Sequence, residues 1–207
     1  MQSQGESSPE ALLRVAELLS GFTPRWALCG GWAVDAWLGR KTREHADVDV
    51  AVLEEDQLAL FKYMAEGWNL VGHDDSVADD SEEPWQGRTL LLPAHIHARR
   101  QDQPDLEFHL NEQRSGSWTF CRQPAIAMPL RKCIRQSPWG LPAVVPEVIL
   151  YYKALPPGWR GVRPDLRPHD QTDFESLLAV LGTRRRAWIS HAISQIDPGH
   201  SWLTQLS

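Results

Sequence analysis

Apolar residues recur along the chain with two different periods, and these periods predict its elements. After Ser8-Pro9-Glu10, apolar residues follow a helical spacing up to Leu19, and proline suits the first position of a helix. The same spacing predicts helices at about 33–38, 56–66, 148–155, 169–181 and 184–196. Strands are predicted where apolar runs are short or alternate with polar residues, at 26–29, 47–53 and 105–110, with shorter candidates at 118–121 and 143–145.

The order of these elements predicts the fold class. The strands are not separated by regular helices, which argues against a doubly wound parallel sheet. We therefore expect an α+β (mixed α/β) fold, with a small mixed β-sheet flanked by helices and a C-terminal helical segment. The expected division is a first domain at 1–145 and a helical segment at 146–207 packed on it. The acidic stretch 73–86 is predicted to be a surface loop or a lid, and the Pro/Gly-rich stretch 156–168 a linker or loop.

Composition narrows the class of protein. A chain of 207 residues with 42% hydrophobic content can fold without a partner, and its net charge of -6 argues against binding nucleic acid mainly through the phosphate backbone. The three cysteines cannot all pair and lack the close spacing of a zinc or redox motif. No stretch approaches the ~20 apolar residues of a membrane span. These features predict a soluble cytoplasmic protein that does not enter the membrane.

Two aspartates on one predicted strand are the first candidate site. Asp47 and Asp49 are two positions apart, so their carboxylates project from the same face with Cα atoms about 7 Å apart. Such like charges repel each other unless a cation lies between them, and carboxylate oxygens suit Mg²⁺. An Asp-x-Asp pair alone is also common on solvent-exposed strands.

A pair of glycines upstream strengthens the metal interpretation. Gly30 and Gly31 lie between a predicted strand and a helix, where the backbone can approach a polyphosphate closely and direct N–H groups at it. A phosphate site beside a metal site is what phosphoryl or nucleotidyl transfer requires.

These elements together resemble a known family. The chain is similar to the small antibiotic nucleotidyltransferases of the polymerase-beta-like superfamily, which act on the aminoglycoside 2''-hydroxyl or on lincosamides. The residues that carry the resemblance are Gly30-Gly31-Trp32-Ala33-Val34-Asp35, Gly39-Arg40, Thr42-Arg43, His45 and Asp47-Val48-Asp49. The resemblance implies the minimal nucleotidyltransferase fold, a nucleoside triphosphate (NTP) as co-substrate and Mg²⁺, with two ions expected.

The resemblance also implies roles for single residues. Gly30 and Gly31 would hold the triphosphate, and Asp47 and Asp49 would bind the metal ions. Family members carry a third acid on a later strand, for which we favour Glu107 and keep Asp105 as the alternative. Glu107 would complete the metal site or accept the acceptor's proton.

Two cations are candidates for binding the nucleotide. Lys153 would neutralise phosphate charge, with a solvent-directed helix lysine as the alternative. Arg43 would contact the nucleotide, or would instead pair with Asp35 or the metal-binding carboxylates. Other polar residues nearby are weaker candidates: His45 for orienting the turn or touching substrate, His109 for a functional role, and Asp170 and Asp173 for tying a helix.

The expected reaction moves a nucleoside monophosphate to a hydroxyl of a small acceptor, and an antibiotic is one candidate acceptor. The acidic loop would attract a cationic acceptor. Trp85 and Trp159, both in predicted loops, are the tryptophans best placed to contact a ligand. Two other functions stay open: a toxin-like nucleotidyltransferase acting on tRNA or protein, and a nucleotide-binding protein without catalysis. The acceptor, the NTP and the oligomeric state are not determined by the sequence.

Overall fold

A computed structural model describes residues 9–75, 84–155 and 166–206 of the chain. Within these ranges the chain forms nine strands and eight helices. The helices are α1 (Glu10–Leu18), α2 (Gly30–Leu38), α3 (Gln57–Met64), α4 (Leu130–Cys133), α5 (Pro146–Ala154), α6 (Pro168–Leu178), α7 (Thr183–Ser194) and α8 (Leu203–Leu206). The strands are β1 (Trp26–Leu28), β2 (Val48–Leu53), β3 (Asn69–Asp74), β4 (Ala94–Arg99), β5 (Leu106–Arg114), β6 (Ser117–Phe120), β7 (Gln123–Pro129), β8 (Ile134–Gln136) and β9 (Pro142–Val144).

The strands form one mixed sheet, which confirms the predicted fold class. Its order is β3-β4-β5-β2-β1-β9-β8, and β6 and β7 extend from the far end of β5. The pairs β2–β5 and β1–β9 are parallel, and the other pairs are antiparallel. The central strand β2 is buried along its length except at Asp49, as expected for a strand covered on both faces.

The register of the sheet decides which polar side chains meet. Asp49 lies opposite Glu107, and Glu107 lies opposite His97 on β4. The next row contains His109 on β5, His95 on β4 and His73 on β3. Residues directly opposite each other on neighbouring strands project from the same face, so one face of the sheet carries two rows of carboxylates and imidazoles.

The opposite face of these strands packs into the core. Leu106, Phe108 and Leu110 alternate with the polar residues of β5 and are buried, and Ile96 on β4 is fully buried beside Phe108. The buried cluster continues through the helices of the C-terminal segment, because it includes Phe174, Ile193 and Trp202. Helix α5 packs on α2, α6 and α7. The division of the chain at 145 and 146 stays a prediction.

The prediction of a loop at 73–86 was wrong for its first residues. His73 and Asp74 complete strand β3, which pairs with β4, and neither strand was predicted. Both lie toward the edge of the sheet, and their half-buried histidines and the glycine in β3 lack the β-branched pattern typical of strands. Residues 76–83 of the predicted loop and 156–165 of the predicted linker lie outside the described ranges.

The expectation that Trp85 is placed to contact a ligand was also wrong. Its side chain is buried, packs edge-on against Phe61, and donates its indole N–H to the Arg88 carbonyl at 2.7 Å. It is therefore a core residue, as buried tryptophans with a satisfied N–H usually are. Trp159 lies outside the described residues. Among the described helices, none combines the length and the apolar character that crossing a bilayer requires.

Phe108→Ala tests whether the apolar face of β5 supports the site. Phe108 is fully buried, so we expect the variant to lose about 3–5 kcal/mol of unfolding free energy. Leu91→Ala is the control, because Leu91 is 74% exposed and should change stability by less than about 0.5 kcal/mol. Urea denaturation followed by tryptophan fluorescence measures both, and equal effects would contradict this packing.

Candidate active site

All seven residues predicted for the site line one cavity of about 400 Å³. They are Gly30, Gly31, Arg43, Asp47, Asp49, Glu107 and Lys153. Although they come from four separate parts of the chain, the fold brings them together. Their individual roles stay predictions, and the geometry below describes what each side chain contacts.

The first glycine is required by the close approach of an aspartate. Gly30 begins α2 with a φ of 57°, a conformation that favours glycine. A Cβ atom at this position would lie 1.8 Å from Asp49 Oδ2, so no other residue fits without displacing that carboxylate. The strand β2 and the N-terminus of α2 are thus fixed against each other at Asp49.

Gly31, the second glycine, leaves room for the segment that precedes β2. A Cβ atom at Gly31 would lie 2.4 Å from the Arg43 guanidinium and 2.6 Å from His45 Nδ1. His45 Nε2 contacts Asp35 Oδ2 at 2.7 Å, and its ring packs on Trp32 with the ring centroids 4.2 Å apart. His45 therefore orients this segment and also lines the cavity.

The buried Asp35 explains why Arg43 is available to the cavity. Asp35 is fully buried in α2 and is bound by His45 and by the backbone N–H and hydroxyl of Thr42. Arg43 instead contacts Asp173 at 3.5 Å and donates to the Glu44 carbonyl at 3.1 Å. The alternative in which Arg43 pairs with Asp35 was thus wrong.

Asp49 and His109 form a close polar contact on the sheet face. His109 Nε2 lies 2.8 Å from Asp49 Oδ1 and 3.4 Å from Glu107 Oε1. Burial alone would lower the pKa of His109, but the hydrogen bond and charge of Asp49, with Glu107, raise it to about 9. Burial raises the pKa of Asp49, yet the hydrogen bond and charge of His109 outweigh it and the pKa lies below its ordinary value. His109 thus carries a positive charge between two carboxylates at neutral pH.

Asp47 lies just before β2, and the charge of His109 lowers its pKa less than its other surroundings raise it. Burial raises its pKa, and the charges of Asp49 and Glu107 raise it further. The predicted strand began at Asp47, whereas β2 begins at Val48, whose N–H donates to the Asp105 carbonyl at 2.8 Å. The cavity therefore contains excess negative charge at this end.

The donor set fits a divalent cation. The ligand-capable atoms of Asp49, Glu107 and His109 lie within 4.8 Å of one another, and His109 can bind a metal only after it loses its proton. Asp47 contributes a further carboxylate to the same cavity. Two or three carboxylate oxygens that leave room for water and phosphate match the coordination that Mg²⁺ prefers.

The two candidates for the third acid differ in their surroundings. Glu107 lies beside Asp49 in the sheet register and lines the cavity. Asp105 precedes β5, has a side chain that is 54% exposed, and lies 3.8 Å from Arg99. This placement supports Glu107.

A basic cluster borders the other part of the cavity. Lys153 Nζ lies 2.8 Å from both Asp170 and Asp173, and Arg167 Nε lies 2.7 Å from Asp170. Burial raises the pKa of Asp170, but Lys153 and Arg167 lower it below its ordinary value. With Arg43, three cations surround two carboxylates, so the cluster keeps a net positive charge.

The alternative in which Lys153 is a solvent-directed helix lysine was wrong, because its side chain is only 8% exposed. The arrangement also shows that Asp170 and Asp173 hold cations at the cavity. Arg167 and His169 line the cavity as well. No spacing in the sequence placed them at the site, since α6 packs on α2 and α5 only in the folded chain.

Comparisons with known proteins agree with this geometry. The family model of aminoglycoside-2''-adenylyltransferases matches residues 11–118, slightly more than half of the chain. This match confirms the resemblance carried by the glycine pair and the aspartate strand. A comparison with curated protein sequences gives no match.

Solved structures share the fold at low sequence identity. ANT(2'')-Ia in complex with adenylyl-2''-tobramycin has a TM-score of 0.58 and 16% identity, with 89% of this chain and 95% of that chain covered. The lincomycin-bound lincosamide antibiotic adenylyltransferase LnuA has a TM-score of 0.57 and 18% identity, with 85% and 100% covered. An antigenic nucleotidyltransferase-like protein from Paracoccidioides brasiliensis has a TM-score of 0.51 and 16% identity, with 97% and 93% covered.

The contact between His109 and Asp49 predicts an unusual titration. In metal-free protein, His109 should titrate near pH 9 instead of at its ordinary value of 6.5, and Asp49→Asn should lower this pKa because the charge and acceptor are lost. The raised pKa favours the folded state fully below about pH 6.5 and loses this effect as pH rises through about 9. NMR titration of the imidazole signals measures the shift, and a His109 pKa near 6.5 in both proteins would contradict it.

Gly30→Ala should disturb the site more than its backbone conformation alone explains. Gly140 is the matched control, because its φ is 74° and a Cβ atom there meets nothing within 4 Å. Gly140→Ala should cost about 1–2 kcal/mol for the left-handed conformation. Gly30→Ala should cost more and should also lower the His109 pKa by displacing Asp49. Urea denaturation and the same NMR titration measure both effects, and identical behaviour of the two variants would refute the contact.

Proposed function

Since the chain belongs to the aminoglycoside-2''-adenylyltransferase family, we propose that it transfers AMP from ATP to a hydroxyl of a small, cationic antibiotic in a magnesium-dependent reaction. The family makes the protein a nucleotidyltransferase. The observation that supports the finer proposal is the division of one cavity into a carboxylate group at Asp49 and Glu107 and a basic cluster at Lys153, Arg43 and Arg167.

This division suits a nucleoside triphosphate bound with a divalent cation. The basic cluster neutralises phosphate charge, and the N-terminus of α2 at Gly30 and Gly31, which favours negative charge, lines the same cavity. The carboxylates Asp47, Asp49 and Glu107 hold the cation. Bound there, Mg²⁺ supplies Lewis-acid stabilisation of the charge on the phosphates and on the acceptor oxygen.

The transfer step uses the chain's own groups for position and proton movement. The acceptor oxygen attacks the α-phosphorus, the bond between the α-phosphorus and its bridging oxygen to the β-phosphate breaks, and pyrophosphate leaves. Glu107 accepts the hydroxyl proton, because it lies beside Asp49 and faces the cavity. Lys153 and Arg43 stabilise the charge that develops on pyrophosphate.

The remaining acidic residues at the cavity would attract a cationic acceptor. Asp75 and Glu112 line it in addition to the three carboxylates assigned to the cation. The chain carries a net charge of -6, which attracts a polycation over long range. Family members act on aminoglycosides, so this acceptor class is the first to test.

We expect the purified protein to add one AMP to an aminoglycoside when ATP and Mg²⁺ are present. Tobramycin, lincomycin and total tRNA should be compared as acceptors, with mass spectrometry for the antibiotics and labelled ATP for tRNA. Transfer to tRNA alone would support the toxin-like alternative. ATP binding without pyrophosphate release on any acceptor would support a non-catalytic protein.

Glu107→Gln and Asp105→Asn form a matched pair for the third carboxylate. Loss of outer-shell partners of a metal typically costs 10–100-fold, so loss of a direct ligand or proton acceptor should lower kcat by more than about 100-fold in Glu107→Gln. Asp105→Asn should keep nearly full activity, because its side chain is exposed and lies off the cavity. Steady-state release of pyrophosphate measures both, and the reverse ranking would exclude the assignment of Glu107.

A further inference from the structure

The sheet face beyond Glu107 carries three histidines that the proposed transfer does not use. His73 lies on β3, and His95 and His97 lie on β4. In the sheet register His73 is opposite His95, and His97 is opposite Glu107. All three imidazoles therefore project from the face that carries the catalytic carboxylates. His95 and His97 lie one strand beyond Glu107, and His73 lies two strands beyond it.

The three rings form a compact cluster. Their centroids lie 4.6 to 4.9 Å apart, and one nitrogen from each ring lies within 4.8 Å of those of the other two. His73 Nε2 and His97 Nδ1 are buried and have no hydrogen-bond partner among the residues that the structure describes. Buried polar nitrogens usually have a partner, so these two nitrogens are available to bind a ligand as far as the described residues are concerned.

A carboxylate fixes the orientation of one ring. His95 Nδ1 lies 2.6 Å from Asp75 Oδ1. A proton held on Nδ1 by a carboxylate leaves the lone pair on Nε2, which is the usual outer-shell arrangement of a metal-binding histidine. His95 Nε2 faces Glu107 Oε1 at 3.7 Å, and His97 Nε2 faces Glu107 Oε2 at 3.5 Å.

We propose that His73, His95 and His97 bind a transition-metal ion of the Zn²⁺ type, with Glu107 as a fourth ligand. Three imidazoles and a carboxylate are a tetrahedral set that suits Zn²⁺, whereas Mg²⁺ prefers oxygen ligands. Ligand nitrogens around tetrahedral Zn²⁺ lie roughly 3.4 Å apart, so small side-chain rotations close the cluster on the ion.

Sharing Glu107 gives the site a consequence for catalysis. The carboxylate lies between the histidine cluster and Asp49–His109, and one ion at the cluster draws it away from the transfer site. Zn²⁺ therefore inhibits transfer, and a chelator reverses the inhibition. This consequence rests on the proposed function, whereas metal binding by the histidines does not.

Isothermal titration of the tag-free protein with Zn²⁺, in excess Mg²⁺, tests the binding. We expect one equivalent of Zn²⁺ to bind, with affinity at least tenfold weaker in His73→Ala and His97→Ala. Asp75→Asn should weaken binding by about 10–100-fold, because His95 loses the carboxylate that orients it. His191→Ala is the control, since His191 is exposed on α7 and should bind as the unmodified protein does.

Two further measurements separate the competing outcomes. His73→Phe keeps an aromatic ring in the stack, so loss of Zn²⁺ binding in this variant with an unchanged melting curve shows lost ligation and not lost folding. Cobalt(II) absorption in the visible range reports tetrahedral coordination independently of activity. Binding that survives His73→Ala but is lost in Asp49→Asn would place the ion at the transfer site and overturn the proposal, as would the absence of binding.

If no acceptor is adenylylated, these binding results still decide whether the histidine site exists. If transfer occurs but Zn²⁺ inhibits the unmodified protein and His73→Phe equally, the shared role of Glu107 is wrong.

Discussion

The site depends on one close approach, between the Asp49 carboxylate and the backbone at Gly30. Asp49 Oδ2 lies where a side chain at Gly30 would begin, so β2 and the N-terminus of α2 are fixed against each other. Parallel pairing of β2 with β5 then sets Glu107 beside Asp49, and antiparallel pairing with β4 sets His97 beside Glu107. This contact places the start of α2 against Asp49, and the strand register aligns the polar rows beside it.

Charge is balanced across this cavity by elements far apart in the sequence. The sheet contributes carboxylates and the cation His109, bound to Asp49 at 2.8 Å. Helix α5 contributes Lys153, and Arg167 lies directly before α6; Asp170 and Asp173 hold these cations in place. Buried acids that hold cations cost desolvation, and the cluster offsets it by mutual pairing. The C-terminal helices therefore complete the basic side of the cavity.

The parts of the site that could be predicted from the sequence are those formed by residues close together in the chain. The glycine pair and Asp-x-Asp could be recognised because backbone approach and strand periodicity act over a few residues. The contact of His109 with Asp49 and the burial of Lys153 depend on strand and helix pairing over long separations, which no spacing encodes. Strands β3 and β4 were missed since histidine and alanine are weak strand formers, although His95 and His97 alternate with Ala94, Ile96 and Ala98.

The two polar rows give the two proposed cation sites different chemistry on one sheet face. Carboxylates dominate on β2, imidazoles dominate on β3 and β4, and Glu107 on β5 lies between them. The proposed Mg²⁺ would be favoured at the first end, because it prefers oxygen ligands, and the proposed Zn²⁺ would be favoured at the other. Because Glu107 lies within 3.7 Å of His95, His97 and His109, its side chain would couple the occupancies of the two proposed sites. A proton on His109 would compete with Mg²⁺ for Asp49, so both pH and metal content would act on the same carboxylates.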